Sequence, residues 1–196
     1  MKITNFRDDT ILRYEVSDER ERMKRFTDRV ELTAGGFADS AGTHYARLKL
    51  SHPFPVGRGI VMRMVVTLPP NFYDVQKASF KLMTCGTESP YQRMGVWIAS
   101  DGFPRLQVEK KGSLLRTLWT GTQRLPVGRN LVRLLAIPSA VEGQALLRLS
   151  VTGTPWGESR APNIPDQINR IVFGIDGAAD QDGEPMSLSI AEVEVR

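Results

Sequence analysis

The sequence predicts an all-β protein built as a two-sheet antiparallel β-sandwich. The first observation behind this is the run 58–72, where Ile60, Met62, Met64, Val66 and Leu68 recur at every second residue. Side chains alternate across a strand, so these five share one face, and Val61, Arg63, Val65 and Thr67 share the other. One wholly apolar face and one broken by a mid-strand arginine describe a strand inside a sandwich, with its mixed face open to solvent. The second observation is repetition, since more than ten short segments of this kind are punctuated by glycine and proline. The third is that no convincing helix of three turns follows residue 30.

Taken in order, residues 10–16 (Thr-Ile-Leu-Arg-Tyr-Glu-Val) read as a short strand. From Ser17 the text is densely charged, with Met23 and Phe26 three apart. Ser17 offers an N-cap for one or two helical turns, and an extended charged edge strand is the competing reading. Residues 29–33 look extended, and Gly35-Gly36 with residues 38–42 form a small-residue loop. Strands follow at 44–50, 60–68, 79–83, 93–100, 105–110 and 114–119. Gly57 and Gly59 lead into the second of these, and Pro69-Pro70 ends it, because proline has no N–H for a ladder. Asp101-Gly102 signals a hairpin, which Phe103-Pro104 lengthens. Residues 130–137, 144–152, 169–175 and 187–195 complete the pattern. No linker, repeat or composition break marks a second domain, so residues 1–196 are expected to form one β-sandwich domain with 1–31 as a charged lead-in.

An apolar fraction of 41% over 196 residues supports a substantial core. No apolar run approaches the roughly 20 residues of a membrane span. Residues 1–9 carry charges where a secretory apolar region would stand, so no signal peptide is expected within this chain. Compartment is left open, with an extracellular or cell-surface location expected if a signal has been removed. Cys85 is the single cysteine, which excludes an intrachain disulfide and a thiolate-rich zinc site. The net charge of +4 conceals a polarity along the chain. Residues 44–148 hold 15 Lys/Arg against 5 Asp/Glu, and residues 149–196 hold 3 against 8. Such segregation creates a directional field for an anionic partner, and an unevenly sprinkled solvated surface is the competing reading.

The order of Tyr45-Ala-Arg-Leu-Lys-Leu and then Gly59-Ile-Val-Met-Arg-Met-Val-Val-Thr-Leu-Pro-Pro-Asn-Phe resembles the concanavalin A-like lectin/glucanase jelly roll. So do Leu125-Pro-Val-Gly-Arg-Asn-Leu-Val-Arg-Leu, Ala145-Leu-Leu-Arg-Leu-Ser-Val-Thr-Gly, Ile171-Val-Phe-Gly-Ile-Asp and the closing strand. Within that superfamily the layout is most similar to laminin-G-like modules and jelly-roll polysaccharide lyases, over roughly residues 10–196. The resemblance implies sugar-related work and carries over no catalytic residue.

Phasing the strands puts the basic residues on one parity. Tyr45, Arg47 and Lys49 alternate against Ala46, Leu48 and Leu50, and Lys81 opposes Phe80 and Leu82. Arg93 and Trp97 oppose Met94, Val96 and Ile98. Arg63 opposes Met62 and Met64, Arg133 opposes Val132 and Leu134, and Arg148 opposes Leu147 and Leu149. If these strands are neighbours in one sheet, its outer face is a stripe of cations with aromatics among them. Guanidinium groups bind carboxylate or sulfate in bidentate fashion, and aromatic faces stack on sugar rings. The expected ligand-binding residues are therefore Tyr45, Arg47, Lys49, Arg63, Lys81, Arg93, Trp97 and Arg148. An ordinary solvated face on which arginine stems cover apolar surface is the competing reading.

A lyase of this fold needs a Tyr or His base near an Arg that neutralises a uronate carboxylate, which Tyr45 and Arg47 with Arg93 or Tyr91 can supply. The Arg-Ser/Thr-Glu-Leu-Arg, Gln-Ile/Val-His and Tyr-Phe-Lys-Ala-Gly patterns of alginate lyases are missing. His44 flanks a strand and His52 precedes Pro53, so structural or solvent roles are expected of both. The Glu-x-Asp-x-x-Glu motif of retaining glycosidases is also missing, with Glu192-Val-Glu194 its nearest approach. The acidic loop Asp176–Glu184 has carboxylates for a hard cation but fails EF-hand spacing, because Ala178 stands at a ligand position, and a plain polar turn is expected. No metal or cofactor is expected. Neither nucleotide-binding glycine motif occurs, and no nucleic acid is expected as a partner. These readings lead to a carbohydrate-binding module favouring an anionic glycan. A uronate-polymer lyase and an adhesion module facing a protein partner are the alternatives.

Overall fold

The computed structural model describes residues 2–7, 12–15, 23–34, 44–55, 59–75, 79–88, 91–99, 101–110, 115–141, 144–162, 164, 167–176 and 186–196. The first half holds β1 (Leu12–Glu15), β2 (Met23–Arg25), β3 (Arg29–Ala34), β4 (His44–Pro55) and β5 (Ile60–Leu68). A single helical turn, α1 (Phe72–Val75), precedes β6 (Ser79–Glu88), β7 (Tyr91–Ile98), β8 (Pro104–Lys110) and β9 (Arg116–Thr120). β10 (Gly128–Pro138), β11 (Ala145–Val151), β12 (Thr154–Ala161), β13 (Gln167–Asp176) and β14 (Met186–Val195) complete the described chain. These strands form two seven-stranded sheets, ordered β12-β11-β10-β5-β14-β3-β2 and β1-β4-β13-β6-β7-β8-β9, called the first and second sheets below. Every pairing between described strands is antiparallel. The protein is an antiparallel β-sandwich of the jelly-roll class.

β5 lies at the centre of the first sheet, between β10 and β14. Its period-two apolarity is realised as expected: Ile60, Met62, Met64, Val66 and Leu68 are all buried. They meet Val132, Leu134, Ala136, Leu147, Leu149, Leu188 and Ile190 of the same sheet and Phe80, Met94, Val96, Ile98, Leu106, Ile171 and Phe173 of the other in one continuous core. Full burial of each such side chain stabilises the fold by about 1.5–3 kcal/mol before conformational entropy is counted. β5 stops at Leu68 because Pro69-Pro70 cannot continue the ladder. The chain then turns through α1, where Phe72 is fully buried and packs with Phe80 at a ring-centroid distance of 5.7 Å.

Several boundaries differ from the sequence reading, each for a local reason. Residues 23–25, where one or two helical turns competed with an edge strand, are extended as β2, at the edge of the first sheet. β4 runs on to Pro55 instead of ending at Leu50, and its register with β13 jumps between Ile168 and Arg170, whose partners are Phe54 and Lys49. Pro53 sits in that gap, where it has no N–H to lose. β12 was not expected at all. Thr152 (φ 48°) and Gly153 (φ 86°) make a two-residue hairpin between the paired Val151 and Thr154, a turn with both central φ values positive. The strand that follows carries Pro155 and Gly157 and lacks alternation, which an edge strand tolerates.

Candidate functional site

The topology decides which of the expected ligand-binding residues come together. Six of the eight belong to the second sheet: Tyr45, Arg47 and Lys49 on β4, Lys81 on β6, and Arg93 and Trp97 on β7. Arg63 on β5 and Arg148 on β11 belong to the first sheet, so the single stripe becomes two separate surfaces. Periodicity assigns a residue to a face of its own strand but says nothing of which sheet that strand joins.

On the second sheet the register lines these residues into cross-strand rows. One row runs Tyr45, Gly174, Lys81, Trp97, Arg105 and Thr120. The next runs Arg47, Val172, Thr84, Gly95, Gln107 and Thr117. A third runs Lys49, Arg170, Gly86, Arg93 and Glu109. The described side chains of these rows are on the face turned away from the core, whose own rows carry Phe173, Phe80, Ile98, Met94, Val96 and Leu106. The side chains of Tyr45, Arg47, Lys49 and Tyr91, and of His44 and His52, lie outside the described residues.

This outward face is polar yet buried. Lys81, Arg93 and Gln107 are each 6% exposed, Arg170 is 3% and Thr84 0%. Trp97, at 2%, is buried among them rather than presented to solvent. None of the three cations is without a partner. Arg170 donates from Nη2 to the Thr87 carbonyl at 3.3 Å, Thr84 Oγ1 donates to the Val172 carbonyl at 3.0 Å, and Gln107 Nε2 donates to Thr117 Oγ1 at 2.8 Å. Arg105 pairs through Nη2 with Asp101 Oδ2 at 2.5 Å, on the loop that turns β7 into β8. Glycines hold the floor close between the cations. A Cβ on Gly86 would lie 1.8 Å from the Gln92 carbonyl oxygen, and one on Gly95 2.1 Å from that of Met83. Neither strand can take a side chain there without backbone displacement.

Arg170, Gln107, Thr84 and Arg105 extend this face beyond the expected residues. Their signal was in the sequence: Arg170 alternates against Ile171, and Gln107 against Leu106 and Val108. A register irregularity between Lys81 and Met83 buries both Leu82 and Met83 and keeps Lys81 and Thr84 on one side.

On the first sheet, Arg63 is half-exposed and ion-paired through Nε with Glu194 Oε2, while Glu194 Oε1 accepts from Arg196 Nε at 2.5 Å. The Arg196 hydrogen bond, helped by that of Arg63 and opposed by desolvation, holds the Glu194 carboxyl below the usual carboxylate range. Arg148 Nε donates to Glu158 Oε2 at 2.7 Å, and both side chains are exposed. Elsewhere, burial pushes the Cys85 thiol up, and its Sγ donates to the Met94 carbonyl at 3.4 Å. Among the described residues no group of three or more His, Cys, Asp or Glu side chains is placed to hold a metal ion. The acidic loop 177–184 lies outside the described residues. No described helix is long and apolar enough to cross a membrane, which says nothing of a β-barrel.

No protein-family model and no curated protein matches the sequence. Solved structures do match in shape. The endo-β-1,4-glucuronan lyase of the fungus Trichoderma reesei superposes with a TM-score of 0.69 at 12% identity, over 100% of this chain and 94% of that one. The carbohydrate recognition domain of Emp47p gives 0.60 at 12% identity over 99% and 93%. The carbohydrate-binding module CBM66 of Bacillus subtilis gives 0.59 at 6% identity over 94% of each chain. The fold is thus the concanavalin A-like jelly roll that the strand order resembled.

Proposed function

We propose that residues 1–196 form one carbohydrate-binding module that holds an acidic glycan against the outward face of its second sheet. Tyr45, Arg47 and Lys49 of β4, Lys81 of β6, Arg93 and Trp97 of β7 and Arg170 of β13 are the residues assigned to that face. The observation that carries the reading is the register, which collects Lys81, Thr84, Arg93, Gln107 and Arg170 in adjoining rows on the face turned away from the core. Burying a cation costs several kcal/mol even when it is paired, and apolar residues of similar volume would pack a sheet face as well or better. Stability therefore gives no reason for three cations on neighbouring strands β13, β6 and β7. Recognition of carboxylates along a polymer does, because guanidinium and ammonium donors held in fixed rows need no reordering when an anion arrives. The likeness to a lectin-type domain and a carbohydrate-binding module supports the sugar part of the reading.

Calorimetric titration with a glucuronate polymer and a neutral glucan, at low and high salt, tests this. The acidic polymer should bind more tightly than the neutral one and weaken as salt rises, since partly shielded charge pairs are screened. Arg93→Gln should weaken the acidic polymer about tenfold or more, the scale of one charge-assisted hydrogen bond. If no acidic glycan binds at low salt, the reading falls.

A uronate-polymer lyase is the second reading, favoured by the likeness at TM-score 0.69 to the Trichoderma reesei glucuronan lyase over 100% of this chain. Incubation with glucuronan and alginate, followed by the ultraviolet absorbance of unsaturated chain ends, distinguishes it from binding alone. Absorbance growing with time would move the protein to the enzyme class, and a flat trace would leave it a binder.

A further inference from the structure

The two cations that the topology separates from the second sheet open onto a different feature. A groove of about 560 Å³ crosses the outward face of the first sheet over β10, β11 and β12. Arg133, Arg148, Ser150, Pro155, Trp156 and Glu158 line it. Arg133 also lines a smaller adjoining hollow of about 250 Å³, with Arg63 and Glu194. The larger volume falls in the range of roughly 300–1,000 Å³ typical of small-molecule sites.

The charges within it are unevenly matched. Arg133 and Arg63 stand directly opposite on β10 and β5, a like-charge cross-strand pair that by itself is destabilising. Glu194 takes Arg63, and Glu158 takes Arg148. Among the described residues Arg133 has no hydrogen bond or ion pair of its own, and its side chain is exposed. An unmatched guanidinium is thus held between two neutralised ones. Beside it, Leu135 gives the groove an apolar floor, and Trp156, half-buried against the core, gives it an aromatic wall. Ser150, the register partner of Arg133, adds a hydroxyl.

We infer that this groove is a second ligand site, for a sugar ring bearing a carboxylate, with Arg133 pairing the carboxylate and Trp156 stacking on the ring. A simple anion has no use for the indole and the apolar floor, and a neutral sugar leaves Arg133 facing Arg63 uncompensated. A uronic acid satisfies both at once. The site is on the opposite sheet from the face assigned above and stands or falls independently of it.

Amide NMR of the full chain, titrated with sodium glucuronate, glucose and sodium acetate, resolves the site. Glucuronate should shift the amides of Ser150, Gly153 and Gly157 and the Trp156 indole N–H, and bind about tenfold more tightly than glucose or acetate. Arg133→Gln should bring glucuronate down to the level of glucose without altering glucose binding. Trp156→Ala should abolish both, with Trp156→Phe retaining them as a check that the groove still folds. Shifts confined to Gly86 and Gly95 would report the second-sheet face alone and overturn this inference while leaving that reading intact. Equal binding of acetate and glucuronate would overturn the assignment of a sugar, and indifference to Arg133→Gln would overturn the site.

Discussion

Burial governs the behaviour of three single side chains, Tyr73, Met64 and Cys85. Tyr73 on α1 is the clearest case. Its hydroxyl donates to the Leu125 carbonyl at 2.7 Å, and burial, opposed by the nearby Arg124, raises its pKa from 10.0 to about 12. A raised folded-state pKa means the stabilising contribution is complete below the unfolded value and fades as pH climbs through the folded one. Between pH 10 and about 12 the wild type should therefore lose stability that Tyr73→Phe does not lose, and melting curves across that window check it. Met64 makes the corresponding point for the core. It is fully buried at the centre of the first sheet, so Met64→Asp should cost more than about 4 kcal/mol, an outcome that urea denaturation measures directly. Cys85, buried with its thiol pushed up, should react with thiol reagents only as fast as the protein unfolds.

Among the elements, irregularities do the aiming. In β14, Leu188 and Ile190 face inward before the register shift at Ala191/Glu194, and Val193 and Val195 face inward after it. Glu192 sits at the shift with φ 51°, pairs with Arg129 at 2.7 Å, and leaves Glu194 on the outer face beside Arg63 and Arg196. Because those partners depress the Glu194 pKa, its contribution is present above the unfolded value and lost as pH falls through the folded one. Stability should drop on acidification below the ordinary carboxylate range, and Glu194→Gln should remove that part of the slope. The β6–β7 pair and the β11–β12 hairpin give a contrast in what a glycine is for. At Gly153 a Cβ meets nothing within 4 Å, so Gly153→Ala should cost only the roughly 1–2 kcal/mol of its left-handed backbone. Gly95→Ala forces backbone apart and should cost more than that, with loss of glycan binding at the second sheet. Chemical denaturation of the two variants side by side separates strain from collision.

For the whole molecule, the sandwich places two polar surfaces on opposite sides of one core, their sheets about 10 Å apart. No single ring spans that distance around the edge, but a polymer bridges two molecules. A long glucuronate polymer should therefore cross-link the wild type, visible as rising light scattering, through the gain in effective concentration that linked sites provide. Arg133→Gln should abolish the cross-linking and leave one-to-one binding at the second sheet, and raising salt should abolish both. Scattering unchanged by Arg133→Gln would show that one face suffices.

By itself the sequence determined most of the strands, the all-β class and the inward face of each strong strand, because alternation and proline or glycine stops are local properties of a chain. Ile60, Met62, Met64, Val66 and Leu68 are buried as their period required, and β5 ends just before Pro69. Lys81 and Arg93 take the outward parity their neighbours implied. Tertiary structure alone decided which sheet each strand joined, since the same parity that put Arg63 and Arg93 outward put them on opposite sides of the molecule. It decided that β12, with no alternation to announce it, closes the first sheet and supplies Trp156 to a groove. It also decided that the cations of the second sheet are buried rather than open. Burial is set by what packs over a face from elsewhere in the chain, and no period within a strand encodes that.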